Sequence, residues 1–195
     1  MLTLYDAPRC PFCARARIVL AEKGVDFETV IVELDERPAW IVELNPPDGR
    51  VPVLEQGGLP LLPESRVAMR YLDEQFPEPP LMPVDTMERA LVDLAFERFD
   101  VLISTPYYRL KNGRVSVEEF HVSLAGFDEE LGEVAYIVGA DYTLADIAYV
   151  PWILRAERLL DVAVREHANI ATWLERLEER EAIRAEISVV SSLVA

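Results

Sequence analysis

The 195-residue chain is poor in basic residues and in cysteine, and it has no long apolar run. Its 19 Lys and Arg residues stand against 35 Asp and Glu, and the net charge of −16 repels phosphate backbones and anionic lipid. We therefore expect no direct nucleic-acid binding and no membrane binding. No segment approaches the ~20 apolar residues of a membrane span, and the N-terminus lacks the order of a signal peptide, which predicts a cytoplasmic protein.

The only two cysteines, Cys10 and Cys13, lie three residues apart. This spacing does not fit the framework of several disulfides that holds a small secreted domain together. A zinc site would need two further ligands, and the only histidines, His121 and His167, lie far downstream. We therefore expect no metal site. The remaining composition, 51% hydrophobic and 28% charged, is that of a globular protein.

Strand and helix patterns alternate in the first part of the chain. Residues 2–5 form a short apolar run that predicts a strand, and apolar positions then repeat with a period of 3.6 from Pro11 until Gly24. Residues 27–32, rich in β-branched and aromatic side chains, predict a second strand. A strand–helix–strand order implies a parallel pair with a right-handed crossover.

Two further strands and a helix are predicted before the first domain ends. The strands cover residues 51–55 and 59–62, joined by a turn at Gly57 and Gly58, and a helix follows over residues 65–76. Residues 1–77 are thus predicted to form a βαβ–ββα domain.

A proline-rich segment separates this domain from a second one. Four prolines fall within residues 77–83, so we predict a linker over residues 78–85. Residues 86–195 show helical periodicity throughout and predict an all-helical bundle. Within it, Thr143 followed three residues later by Asp146 predicts a capping box at a helix start.

Cys10 lies where the first strand passes into the first helix. Because proline is favoured at the first helical position, Pro11 places Cys10 at or beside the N-cap, where backbone N–H groups and the helix dipole stabilise a thiolate. The positive charges of Arg9 and Arg15 would add to this effect. We predict Cys10 as the nucleophile and Cys13 as a resolving thiol. The alternative is that both cysteines are inert packing residues.

A site for thiol chemistry also has to hold the partner thiol. We hypothesise that the Val51–Pro52 bond is cis, which would turn the backbone N–H and C=O of Val51 outward toward a peptide-like ligand. Glu64 and Ser65 begin a second helix, where Ser65 and its amide could bind a carboxylate and Glu64 an ammonium group. The alternative for this pair is ordinary helix capping.

These features together resemble a cytosolic glutathione transferase: a Cys-Pro-Phe motif, a Val-Pro strand, a Glu-Ser helix start, a proline-rich linker and a helical domain with a Thr-x-x-Asp cap. The resemblance covers nearly the whole chain and is strongest to the omega-type, cysteine-containing branch. It implies a thioredoxin-like N-terminal domain, an all-helical C-terminal domain and a homodimer. The implied activity is glutathione-dependent thiol transfer or reduction of disulfides or dehydroascorbate, with glutathione as co-substrate.

The resemblance also assigns roles to individual residues. Cys10 would form the mixed disulfide with glutathione, Arg37 would bind the glycine carboxylate, and Val51 would pair with the cysteinyl backbone. The complete predicted set comprises the catalytic Cys10 and Cys13 and the glutathione-binding Pro11, Phe12, Arg37, Val51, Pro52, Glu64 and Ser65. Three features depart from the omega pattern: the second cysteine, Cys13; one extra residue within residues 45–50; and Pro63.

A second resemblance is to the stringent starvation protein A family, whose members have the same fold and associate with bacterial RNA polymerase without glutathione chemistry. It rests on residues 17–24, 44–46, 64–66, 71–74 and 76–83. The pattern of that family has a histidine where this chain has Glu78, and it has no counterpart of Cys10. We therefore rank the enzyme first. A third hypothesis is conjugation of small electrophiles, with Tyr5 activating glutathione, although Tyr5 falls in a predicted strand.

Overall fold

The computed structural model describes residues 1–132 and 134–194. The chain divides into two compact units, residues 1–79 and 80–195. The first unit contains a four-stranded sheet in the order β2-β1-β3-β4. Its strands are β1 (Leu2–Asp6), β2 (Glu28–Ile31), β3 (Val53–Gln56) and β4 (Leu62–Pro63). β1 runs parallel to β2 and antiparallel to β3, and β3 is antiparallel to β4, which confirms the predicted βαβ–ββα topology.

Three helices accompany the sheet: α1 (Pro11–Lys23), α2 (Ala39–Leu44) and α3 (Ser65–Gln75). α1 ends as predicted at Gly24, whose φ of 60° suits a residue without a side chain. A buried ion pair joins α1 to α3: Nζ of Lys23 in α1 lies 2.6 Å from Oδ1 of Asp73 in α3. Lys23 also donates to the carbonyl of Pro79 at 2.5 Å, which fixes the end of the unit against α1.

The fourth strand is shorter and later than predicted. Leu59 donates its N–H to the carbonyl of Gln56 at 2.9 Å and so belongs to the turn, and Pro60 has no N–H to give to a ladder. Pairing with β3 therefore starts only at Leu62, opposite Leu54.

The second unit is helical, as predicted. Its helices are α4 (Thr86–Phe99), α5 (Thr105–Lys111), α6 (Val117–Leu131), α7 (Leu144–Leu159), α8 (Ala168–Glu178) and α9 (Glu181–Ser192). The helical periodicity predicts one long helix over residues 86–111. In the structure a π-helical segment, Asp100–Ser104, divides it, and Thr105 N–H bonds to Asp100 O there. Pro106 follows directly, and its missing N–H is a physical reason for the wider turn.

The core of the helical unit is organised around α7. Residues Leu144 to Ala156 of this helix are buried. The predicted capping box is present: Thr143 Oγ1 accepts from Ala145 N–H, and Asp146 Oδ2 accepts from Thr143 N–H at 2.9 Å. Asp146 Oδ1 also accepts from the indole N–H of Trp173 at 2.8 Å, which joins α7 to α8. A buried ion pair, Arg155 with Glu186 at 2.8 Å, joins α7 to α9. None of the helices in the described part of the chain has the length and apolar character needed to cross a membrane.

Candidate functional site

Cys10 lies at the junction of β1 and α1, as the N-cap of the helix. Its own N–H bonds to Ala7 O at 2.8 Å, and its carbonyl accepts the first helical bond from Ala14 at 3.2 Å. Pro11 is the first helical residue, as predicted. The Cys10 side chain is 9% exposed, and its Sγ lies 3.8 Å from the carbonyl oxygen of Val51. Cys10 therefore stands at the positive end of α1, with its sulfur next to the Val51 backbone.

Cys13 is fully buried one turn along the same helix. Both sulfurs are thiols rather than halves of a disulfide. Burial raises the pKa of Cys13 well above its usual range, and a hydrogen bond with Cys10, the charge of Cys10 and the charge of Asp6 act in the same direction. Cys13 is thus held as a neutral thiol next to the Cys10 sulfur.

The Val51–Pro52 bond is cis, which confirms that hypothesis. Val51 is buried with Cys10, Cys13 and Val53 in one apolar cluster, and Phe12 packs against this cluster. The Val51 carbonyl faces the Cys10 sulfur, whereas the sequence led us to expect that it would be turned toward a ligand. This carbonyl is therefore an acceptor for the protonated Cys10 thiol.

Glu64 and Ser65 stand at the start of α3, as predicted, but in different environments. Glu64 is exposed and has a φ of 78°, a backbone conformation that non-glycine residues rarely adopt. Among the described residues, its carboxylate does not cap α3. Ser65 is 5% exposed, and its Oγ accepts a hydrogen bond from Arg15 Nη1 at 3.2 Å. Glu64 therefore does not act as an ordinary helix cap, which was the alternative interpretation of this pair.

Arg15 connects two parts of the predicted site in a way that the sequence did not reveal. It is 4% exposed, and its guanidinium lies 5.3 Å from the centre of the Phe12 ring while it donates to Ser65. Fifty residues separate Arg15 from Ser65, so periodicity along either helix carries no signal for this contact. The structure therefore links the residues beside Cys10 to the start of α3.

The other two predicted cationic residues are at the surface. Arg9, next to Cys10, pairs with Asp35 at 2.6 Å, so its charge is shared with a carboxylate. Arg37 is exposed in the connection between β2 and α2. In residues 1–132 and 134–194 the structure gives no contact that brings Arg37 to the cysteine cluster.

Tyr5 faces a carboxylate rather than a sulfur. Its hydroxyl donates to Glu55 Oε2 at 2.7 Å, and that hydrogen bond, with burial and the Glu55 charge, raises the pKa of the phenol. A phenol with a raised pKa is a poorer activator of a thiol, which disfavours the conjugation hypothesis based on Tyr5. Within the described chain, no cluster of three or more Cys, His, Asp or Glu side chains is arranged to hold a metal ion.

Two family models match the chain. The model described as "Glutathione S-transferase, N-terminal domain" matches residues 4–80, and "Glutathione S-transferase, C-terminal domain" matches residues 101–181. The chain belongs to the glutathione S-transferase family. This membership confirms the predicted fold class, an α/β domain followed by an all-helical one.

Several relatives of this transferase-family chain match it along nearly its full length. Pyrimidodiazepine synthase of Drosophila melanogaster is 31% identical, over 95% of this chain and 80% of the relative. Glutathione S-transferase omega-1 of Rattus norvegicus is 31% identical, over 91% of this chain and 77% of the relative. A stringent starvation protein A homolog of Coxiella burnetii is 32% identical, over 96% of this chain and 92% of the relative. Both predicted resemblances are thereby confirmed.

A solved structure shows the same fold. Glutathione transferase Omega 2C of Trametes versicolor superposes with a TM-score of 0.84 at 23% identity and covers 98% of this chain and 95% of its own. At this identity the likeness concerns the fold alone. The chemistry of this family member has to be argued from its own residues, above all from Cys10.

Proposed function

We propose that this glutathione transferase-like protein is a thiol transferase that uses glutathione to reduce disulfides or dehydroascorbate through Cys10. The observation that carries the proposal is the position of Cys10 at the N-cap of α1, where the helix dipole favours a thiolate. The neutral Cys13 thiol lies one turn along the same helix. Membership of the family supports glutathione as the co-substrate, and the likeness to an omega-1 transferase supports a cysteine-based activity.

The reduction of a disulfide divides into two thiol–disulfide exchanges. The Cys10 thiolate attacks one sulfur of a disulfide, so that a Cys10–S–S–R bond forms, the original disulfide breaks and the other half leaves as a thiolate. When the substrate is a glutathionylated molecule, the sulfur retained on Cys10 is that of glutathione. A second glutathione then attacks this mixed disulfide, which releases oxidised glutathione and restores the Cys10 thiolate.

Cys13 provides a second way to resolve the mixed disulfide. Two of the causes that raise the pKa of Cys13 are its hydrogen bond and charge interaction with Cys10, and both disappear when Cys10 enters a disulfide. Burial continues to favour the neutral thiol, so we expect resolution by glutathione to be faster than resolution by Cys13.

Glutathione is proposed to bind at the predicted residues on this unit. Val51 lies beside the sulfur and Pro52 follows it in the chain, Phe12 packs on the same cluster, and Ser65 begins α3. We propose that Ser65 with its amide and Glu64 receive the γ-glutamyl end, and that Arg37 receives the glycine carboxylate. The exposed position of Arg37 agrees with such a role. We further propose a cytoplasmic homodimer, as the family resemblance implies.

The test is glutathione-dependent reduction of 2-hydroxyethyl disulfide and of dehydroascorbate by wild type, Cys10→Ser and Cys13→Ser. We expect Cys10→Ser to lose at least a hundredfold in kcat/KM and Cys13→Ser to lose less than tenfold. Intact-mass measurement should show one glutathione on the Cys13→Ser variant and none on Cys10→Ser. Equal activity of wild type and Cys10→Ser would disprove the mechanism.

The second candidate function is that of an RNA polymerase-associated regulator. It is favoured by the likeness to a stringent starvation protein A homolog and by the proline-rich segment 77–83, through which we propose that such a regulator would dock. Purified RNA polymerase in a sedimentation assay decides between the two candidates. Binding of polymerase together with no measurable affinity for glutathione would favour the regulator over the enzyme.

A further inference from the structure

Arg15 is a charged side chain buried beneath the predicted site. The other buried charged side chains of this unit form carboxylate pairs, Asp6 with Arg17 and Lys23 with Asp73. Arg15 donates from its guanidinium to the Ser65 hydroxyl, 3.2 Å away, and the guanidinium lies 5.3 Å from the centre of the Phe12 ring. Arg15 therefore contacts both Phe12, which follows Cys10 and Pro11 in the chain, and Ser65, the first residue of α3.

The chemistry of this contact fixes the direction of the Ser65 hydroxyl. A guanidinium has five N–H donors and no acceptor, so Ser65 Oγ has to be the acceptor of the bond with Arg15. A hydroxyl has a single proton, which is then available for donation to another group. The Ser65 backbone N–H, at the first position of α3, is also among the helix N–H groups that lack an intrahelical partner.

We propose that Arg15 is a positioning residue for a carboxylate of the thiol substrate, acting through Ser65. The inference rests on the proposed function and identifies the γ-glutamyl carboxylate of glutathione as the group that is recognised. By accepting from Arg15, Ser65 presents its hydroxyl proton and its N–H to that carboxylate. The buried positive charge of Arg15 next to Ser65 strengthens the attraction for an anion in this low-dielectric position.

The experiment compares two disulfides that differ in this carboxylate. Oxidised glutathione carries the γ-glutamyl group, whereas oxidised cysteinylglycine lacks it. In a Cys13→Ala background, the Cys10 thiolate attacks either disulfide and releases one thiol, and quenched intact-mass measurement gives the rate of mixed-disulfide formation. The preference for glutathione is the ratio of the two rates. We expect Arg15→Gln and Ser65→Ala each to lower this preference about tenfold, and the double variant to lower it little further.

Lys23→Gln is the matched control. Lys23 is also buried and also joins α1 to α3, but it does so through Asp73 near the other end of α3. We expect this variant to lose stability while it keeps the preference for glutathione. If Arg15→Gln does not fold, Arg15→Met gives the same test, because methionine retains much of the volume of the arginine stem.

The outcomes separate the inference from the proposed function. If the parent prefers glutathione and the folded Arg15 variant keeps that preference within twofold, the positioning role is wrong and the proposed function stands. The inference is also wrong if Lys23→Gln lowers the preference as much as Arg15→Gln, since general loosening of the two helices would then be the cause. If the parent forms no mixed disulfide with either compound, both the proposed function and the inference fail.

Discussion

The helix starts of the two units are built differently. In the helical unit, Asp85 accepts from two N–H groups of α4, Ser116 and Thr143 form capping boxes on α6 and α7, and Asp128 accepts from Ile170 in the first turn of α8. In the first unit, the N-cap residues of α1 and α3 are Cys10 and Glu64. Within the described residues, neither side chain caps its own helix.

This difference distinguishes helix starts that stabilise the fold from helix starts that belong to the candidate site. A capped helix start has its orphan N–H groups satisfied by the protein itself, and each such cap contributes about 1 kcal/mol to the free energy of unfolding. The helix starts at Cys10 and Glu64 forgo this contribution, and they lie at the Cys10 sulfur and at Ser65. In the described chain α5 and α9 also begin without a side-chain cap, at Ser104 and Arg180. The contrast therefore concerns α4, α6, α7 and α8 against α1 and α3.

The largest expected effect on stability is at Asp146. Its carboxylate is fully buried and accepts from Thr143 N–H, Ile137 N–H and the indole N–H of Trp173. Asp146→Ala leaves these donors without an acceptor, so we expect the free energy of unfolding in urea to fall by about 3 kcal/mol. The matched control is Asp85→Ala, an exposed cap whose loss should cost about 1 kcal/mol. Equal losses would show that burial does not distinguish the two caps.

The pH dependence of stability gives a second test at Asp146. Burial raises the pKa of this carboxyl in the folded protein, outweighing the hydrogen bonds that act in the opposite direction. The unfolded chain therefore releases this proton first, at an ordinary aspartate pKa of about 3.9. The free energy of unfolding should fall as the pH rises from about 4 through the folded pKa. Asp146→Asn lacks this titrating group, so its free energy of unfolding should fall less steeply with pH. An equally steep fall in the variant would show that Asp146 is not the cause.

The two cysteines should differ by at least about a hundredfold in alkylation rate. Cys13 is fully buried and the pKa of its thiol is raised, whereas Cys10 is 9% exposed at the helix start. Because the thiolate is the reacting form, iodoacetamide at pH 8 should label Cys10 first. Peptide mass mapping over time measures both rates. Both sites should react in 6 M guanidinium chloride, and comparable rates in the native protein would mean that Cys13 is not held as a thiol.

The smallest expected effect is at Glu64, the N-cap residue of α3. Glu64 has a φ of 78°, so Glu64→Gly should relieve backbone strain and raise the free energy of unfolding by about 1 kcal/mol. The same change removes the carboxylate proposed to bind the glutathione ammonium, so the glutathione KM should rise severalfold. Asp161→Gly, at a φ of 52° in the helical unit, is the matched control and should gain stability with an unchanged KM. A Glu64→Gly variant that is more stable and has an unchanged glutathione KM would show that Glu64 does not bind glutathione.

Much of the architecture was predictable because it depends on local sequence. The βαβ–ββα order, the helical second unit, Pro11 at the first turn of α1, the αL glycine at position 24 and the Thr143–Asp146 box follow from periodicity and from turn and cap preferences. The predictions went wrong where neighbouring elements intervened. Pairing with β3 begins only after the turn and Pro60, and a π-helical segment interrupts the long helix before Pro106.

Cys10 is recognisable as the nucleophile candidate from its neighbours in the chain, since it stands between a strand end and a proline. Its surroundings depend on residues that are distant in the chain. The Val51 carbonyl at the sulfur and the bond from Arg15 to Ser65 each join residues some 40 to 50 positions apart. The physical reason is that caps and turns are set by adjacent residues, whereas such contacts form only after α1, α3 and the sheet have packed together.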